Sequence, residues 1–166
     1  MNPSNLVLYE AEHFRLKSIL GKTQRDLRAD LVLLIDRNGQ QIAAEETART
    51  FDLTALASLA AANIAATDGL ARLVGESEFS SLYHQGIHHS IHISAVSNRF
   101  SLVVVFDETV SLGLVRLRVK HATVCLEEVF RLFNRQEKTD ASPAGKTFGS
   151  SPLAFTDEDI DKLFGL

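Results

Sequence analysis

The sequence predicts an α+β layer fold: a five-stranded antiparallel sheet with helices on both faces, in the order α-β-β-α-β-β-β-α. Three observations carry the prediction. Apolar residues recur at three- and four-residue spacing through three long stretches. Five β-rich runs of strand length lie between them. Those runs come as a pair and a triple joined by short turns, which favours antiparallel neighbours over crossovers. At 166 residues the chain suits one domain with a tail to spare.

The first stretch runs from about Val7 to Arg28, where Tyr9, His13, Leu16, Leu20 and Leu27 fall on one helical stripe and Gly21 weakens the pattern. Next come Leu31 to Asp36 and Gln41 to Glu45 around Asn38-Gly39, a strong hairpin signal. Asp52 is an N-cap for a second helix reaching about Gly75, with Leu53, Leu56, Ala60, Asn63, Leu70 and Val74 expected to face the core. On another face Ala57, Ala61, Ala65 and Gly69 repeat every four residues, a small-residue stripe that permits close approach or simply reflects alanine's helix propensity. Strands are expected at Ser80 to Gln85, Ser90 to Val96 and Phe100 to Phe106, the last two joined by Ser97-Asn98-Arg99 with Asn98 suited to a left-handed turn. A last helix, capped by Ser111 and running to about Arg135, carries Leu112, Val115, Val119, Ala122, Leu126, Val129, Phe130 and Phe133 at core spacing. Arg116, Arg118 and Lys120, spaced by two, read as a solvated rim.

The residues from Asp140 to Pro152, DASPAGKTFGSSP, read as a tether. Beyond it, Thr156 and Asp159 form a capping box, and Phe155 and Ile160 a hydrophobic staple. A helix this short needs a surface to pack on, with Ile160, Leu163 and Phe164 as anchors. The expected organisation is a domain over 1–138, a tether over 139–154 and an amphipathic helix over 155–166.

Composition narrows the function classes. Hydrophobic residues make up 45 % and charged residues 23 %, which suits a globular core rather than a disordered chain. The net charge of -4, with no basic run interleaved with aromatics, argues against nucleic acid. Cys125 is the single cysteine, excluding an internal disulfide, a CxxC pair and a thiolate zinc site, and it suits a reducing cytoplasm. No apolar run reaches membrane-spanning length and no signal peptide is read, so a cytoplasmic location is expected.

Candidate chemistry is sparse. His84, His88, His89 and His92 cluster, but on a strand His88 and His92 share a face while His89 opposes them, leaving two convergent donors where zinc wants three or four. A metal enzyme built on them is the weakest reading. There is no GxSxG elbow, P-loop or dinucleotide fingerprint, and Cys125 sits beside a helical core stripe as a structural thiol. The acids of DEDID lack the calcium-loop pattern and are better explained by helix capping. No catalytic residue, metal or cofactor is expected, and the profile is that of an interaction protein.

VLLIDRNGQQIA in the first hairpin, LASLAAANIAATDGLARLVGE in the second helix, SLVVVFDETVSLGLVRLRVK into the third, and FTDEDIDKLF at the end carry a resemblance over nearly the whole chain. The chain resembles the roadblock (dynein light chain) family, in its bacterial MglB branch of regulators of the Ras-like polarity GTPase MglA. The resemblance implies a homodimer with sheets joined across protomers and second helices packed together. It implies a GTPase-activating protein that prefers the GTP-bound partner, supplies no arginine finger and presses on the switch regions so that the GTPase's own residues take hydrolytic positions. Placing an arginine finger is worth roughly 10³ to 10⁵ in rate, so positioning suffices in kind. The implied contacts are Ala57, Ala61, Ala65, Gly69 and Arg72 on the second helix, and Phe155, Ile160, Leu163 and Phe164 on the tail, which binds away from the nucleotide and is tied to exchange. Polarity or motility, and a polar location, are implied in the same way. The rival reading is a non-catalytic roadblock adaptor that binds whatever nucleotide is present.

Overall fold

Val32 and Leu34 point to one side of the first strand and Leu31, Leu33 and Ile35 to the other, and all five are fully buried. A strand buried on both sides must lie inside a sheet covered on both faces. The computed structural model describes residues 10–48 and 50–140 and shows this arrangement. Its elements are α1 (Glu10–Leu27), β1 (Leu31–Asp36), β2 (Gln41–Glu46), α2 (Leu53–Leu73), β3 (Ser81–Gln85), β4 (His89–Val96), β5 (Phe100–Asp107) and α3 (Leu112–Asp140). The sheet order is β2-β1-β5-β4-β3, antiparallel throughout. The α-β-β-α-β-β-β-α order and the five-stranded antiparallel sheet are those expected.

The larger core lies under α1 and α3. Leu16, Leu20 and Leu27 meet Val32, Leu34, Leu102, Val104 and Phe106 from the sheet and Val115, Val119, Ala122 and Leu126 from α3. Phe100 and Phe130 stack there with ring centroids 4.0 Å apart. The smaller core lies under α2, where Leu31, Leu33, Ile35, Ile93, Val103 and Val105 are covered by buried Ala57 and Ala60 and by half-buried Leu53, Leu56 and Ile64.

Several local expectations are corrected. On α1 His13 is exposed and Tyr9 lies outside the described residues, while Ile19 and Thr23 complete the buried face. The Thr23 hydroxyl satisfies itself by donating to the Ile19 carbonyl at 2.8 Å. The helix ends one residue early because Arg28 takes a left-handed conformation (φ 49°) and the Ala29 N–H bonds back to the Gln24 carbonyl at 3.0 Å. Between β1 and β2, a two-residue turn over Asn38-Gly39 would need positive φ at both, but only Gly39 has it, at 80°. The Gly39 N–H donates to the Asp36 carbonyl at 3.1 Å, and the Asp36 carboxylate accepts from the Asn38 and Gln40 N–H groups at 2.9 and 2.8 Å. Between β4 and β5 the left-handed residue is Ser97 (φ 56°), not Asn98, and its N–H reaches Glu127 Oε1 of α3 at 3.3 Å.

Asp52 caps α2, accepting from the Ala55 N–H at 3.0 Å, and Ser111 Oγ accepts from the Leu114 N–H at 3.3 Å at the start of α3. The core stripe expected for α2 is only half right. Ala60 is buried and Leu53, Leu56 and Asn63 are half-buried, but Leu70 and Val74 are exposed. Arg118 is half-buried and paired with Asp26 of α1 at 3.6 Å, so it is no free rim charge. The α3 backbone continues past Arg135 to Asp140, into the first two positions assigned to the tether. The remainder of the tether and the expected helix carrying Phe155, Ile160, Leu163 and Phe164 lie outside the described residues.

Candidate partner-binding face

The four-residue stripe on α2 does not stay on one face. A helix advances about 100° per residue, so each four-residue step overshoots a turn by about 40° and three steps drift about 120°. Ala57 therefore points into the sheet and is fully buried, which removes it from any partner surface. Ala61 is half-buried, Ala65 exposed, Gly69 half-buried and Arg72 exposed. The N-terminal half of the stripe serves an internal contact: a Cβ placed on Gly39 would lie 2.9 Å from Ser58 Cα, 3.1 Å from the Ala57 carbonyl oxygen and 3.3 Å from Ala61 Cβ. Small residues on the helix and glycine at the turn let the β1–β2 hairpin tip lie directly on α2. Ala65, Gly69 and Arg72 remain available to a partner.

Two features flank the exposed part of α2, on opposite sides by helical position. One is an apolar seam that sequence reasoning missed. Leu59, Leu70, Leu73 and Val74 are 69, 58, 83 and 68 % exposed. With Asn63 and Ala66, the residues 59, 63, 66, 70 and 73 repeat at alternating four- and three-residue steps, the spacing of a helix-pairing seam. The signal was present in sequence, because a helix apolar almost all round needs cover on more than one side. By length and composition alone α2 would even admit a membrane span, although Asp68 and Arg72 sit within it. The other feature is a groove of about 170 Å³ lined by Arg37, Ala61, Ala65, Asp68, Phe79 and Ser101 among others. Arg37 Nη1 and Asp68 Oδ2 face each other across it at 4.0 Å. Arg37 is exposed and Asp68 half-buried, and a pair at this distance near the surface adds only about 1 kcal/mol or less, so Arg37 is readily diverted to a partner.

β3 borders this face as one edge of the sheet. A short edge strand with unpaired N–H and C=O groups is a template for another strand.

The histidines diverge. His84 is exposed on β3 and His88 lies in the turn before β4. His89 Nε2 is 3.7 Å from Asp30 Oδ2, with its ring edge-on to Phe51. His92 is buried on the opposite face of the sheet, under α3, where burial and then the nearby Arg116 charge hold its pKa below the usual histidine value. Among the described residues no group of three or more His, Cys, Asp or Glu side chains is placed to hold a metal ion. Cys125 is buried in the α1–α3 core and burial pushes its thiol pKa up, the opposite of an activated nucleophile. What the face can do chemically is dock: it offers apolar area, a sheet edge and one divertible ion pair.

Comparison with known proteins points the same way. Residues 16–106 match the Roadblock/LC7 domain. The chain is 42 % identical to Myxococcus xanthus MglB, covering 76 % of this chain and 96 % of that one with a TM-score of 0.72. It is 38 % identical to the gliding protein MglB of Thermus thermophilus, covering 80 and 99 % with a TM-score of 0.74. An MglB with a tetrameric arrangement is similar at 38 % identity over 80 and 98 %, again with a TM-score of 0.74. No curated protein sequence matches the chain.

Proposed function

The chain belongs to the Roadblock/LC7 family, and from that premise we propose that it is an MglB-type homodimeric activator of an MglA-type Ras-like GTPase. The observation that carries the reading is the uncovered outer surface of α2, with Leu59, Leu70, Leu73 and Val74 exposed together. Fully burying one leucine side chain contributes about 1.5–3 kcal/mol, so covering this seam is enough to drive association. In this reading the seam packs against the same seam of a second protomer while the β3 edges come together. The adjoining face of α2, from Gly69 at the border of the seam round through Ala65 and Arg72 to the Arg37–Asp68 groove, then meets the GTPase switch regions.

The activation is by positioning. Phosphoryl transfer needs the attacking water and a stabilising cation correctly placed, not a new covalent group. A rigid helix pressed on the switches holds the GTPase's own arginine and glutamine in place and excludes water around them. Small residues at Ala65 and Gly69 allow backbone-close contact. The GTP-bound form is preferred because its switches are ordered for docking. The tail helix, through Phe155, Ile160, Leu163 and Phe164, is a second contact whose loss shows in affinity or nucleotide exchange. The setting is a cytoplasmic polarity or motility switch, with localisation at a cell pole.

The test is single-turnover GTP hydrolysis by the cognate GTPase with the full chain, with Ala65→Arg or Gly69→Arg, and with a tail variant carrying Ile160→Ala, Leu163→Ala and Phe164→Ala. Stimulation that is lost in either α2 variant while the fold is retained supports the reading. Nucleotide-independent binding without stimulation replaces it with the adaptor.

A further inference from the structure

α3 carries a second uncovered surface on the other side of the molecule. Leu114, Leu117 and Val124 are 38, 51 and 57 % exposed, and with half-buried His121 they form a stripe at three- and four-residue spacing. By helical position this stripe is centred about 150° from the buried line of Val115, Val119, Ala122 and Leu126, with its Leu114 side bordering buried Cys125. It is not explained by packing on the sheet or on α1. At its N-terminal end Arg116 and Lys120 are exposed, where the helix dipole also favours negative charge; Arg118 is already paired with Asp26, and Glu127 and Glu128 follow Val124 by one turn.

The chain contains one segment that matches this surface. Residues 155–166, FTDEDIDKLFGL, set Ile160, Leu163 and Phe164 at helical spacing beside Asp157, Glu158, Asp159 and Asp161, with Lys162 as the sole base. The apolar spacing matches the stripe, and the acids match Arg116 and Lys120 at its N-terminal end. We propose that this C-terminal segment folds back as an amphipathic helix onto the Leu114–Leu117–Val124 stripe of α3, its resting place when no partner holds it. The proposal rests on the reading of 155–166 as an amphipathic docking helix.

The reach is sufficient. α3 ends at Asp140, and at about 1.5 Å per residue Val124 and Leu117 lie roughly 24 and 34 Å back along the helix. Residues 141–154 span up to about 46–50 Å when extended, more than either distance. The stripe is therefore inside the sweep of the tether. A short linker gives an effective concentration of order mM, so even a mM intrinsic affinity leaves about half of the tails docked. Docking on α3 and docking on a GTPase use the same three anchors and exclude each other.

The experiment is hydrogen exchange on the full chain without any GTPase, comparing the unmodified protein with Leu117→Asp and with Leu163→Asp. Leu117 is half exposed, so its change leaves the fold intact. The expected result is that amides of 156–166 exchange about twofold or more slowly in the unmodified chain than in Leu117→Asp, and that amides of 114–124 lose protection in Leu163→Asp. A Leu117→Cys, Leu163→Cys chain should oxidise to a species linked within one chain at every protein concentration. Unchanged tail exchange in Leu117→Asp overturns the proposal. Links that form only between chains, and rise with concentration, overturn it in favour of a second copy as occupant. Because no GTPase is present, these outcomes stand whether or not the tail also binds one, and loss of affinity or exchange in the tail variant above stands whether or not the tail docks.

Discussion

Replacing Gly39 by alanine tests the contact that seats α2 on the sheet. Two costs add. Gly39 has φ of 80°, and an L side chain in the left-handed region costs about 1–2 kcal/mol. The new Cβ would also lie 2.9 Å from Ser58 Cα and 3.1 Å from the Ala57 carbonyl oxygen. Both are backbone atoms, so no rotamer change relieves them and either the hairpin or α2 must move, a typical overpacking cost of about 1–3 kcal/mol. The sum is roughly 2–5 kcal/mol. Gly75 supplies the control: its φ is 83° and nothing lies within 4 Å of a Cβ placed there, so Gly75→Ala should lose only the first part. Urea unfolding at one fixed protomer concentration, which any self-association makes necessary, should show Gly39→Ala below Gly75→Ala by about 1–3 kcal/mol. At about 2–4 °C per kcal/mol for a chain of this size, the melting temperatures should differ by roughly 2–12 °C. Equal losses would refute the argument that the small residues of α2 exist to admit the hairpin.

Three further outcomes follow from the same structure. Leu73 is 83 % exposed, so Leu73→Glu should change single-chain stability by less than about 0.5 kcal/mol while sedimentation shows weakened self-association; unchanged association would remove the seam. His92 has a folded pKa below its ordinary 6.5, so the unfolded chain binds more protons beneath that value. Its contribution is fully present above pH 6.5 and is lost as pH falls towards the folded pKa; His92→Leu should flatten the acid limb of the stability curve, and an unaltered limb would show that other groups cause it. Cys125 is buried with a raised thiol pKa, so a thiol reagent at mildly alkaline pH should react at the rate of unfolding and not before; full modification of the native protein within minutes would contradict that burial.

The sheet is legible in the sequence because its signals are local and redundant. LVLLI and LVVVF are buried on both faces and read as strands whatever surrounds them. The long α3 is legible because its buried line keeps one spacing over many turns. α2 is legible only in part, for a physical reason: when almost every residue is apolar or small, periodicity cannot separate the face that meets the sheet from the face that meets something else. Leu70 and Val74 fit an inward stripe on spacing alone, although they lie outside. Ala57, Ala61, Ala65 and Gly69 read as one surface because four-residue spacing looks like a face, while its slow drift divides them between the hairpin and solvent. The Arg37–Asp68 groove is invisible in sequence because it joins a hairpin tip to a helix 31 positions on, and nothing local announces that meeting. Ser97 holds the left-handed position in place of Asn98 because the geometry there is set by its N–H bond to Glu127 on α3.

The pairing of β1 with β5 has a consequence for how the chain is made. The two strands begin at Leu31 and Phe100, so about 70 residues must follow the first before the second exists. At roughly 5–20 residues per second of synthesis, β1 waits several seconds without its central neighbour. Hairpin pairing with β2 covers only one of its edges, and the share of the larger core that α3 supplies arrives later still. During that interval LVLLI is a bare, flat, uncharged strand, the kind of segment that pairs with other nascent chains. Non-local closure of this sort also slows folding after release. The yield of folded protein should therefore fall with slower translation and with fewer available chaperones, well before any change in the stability of the finished fold.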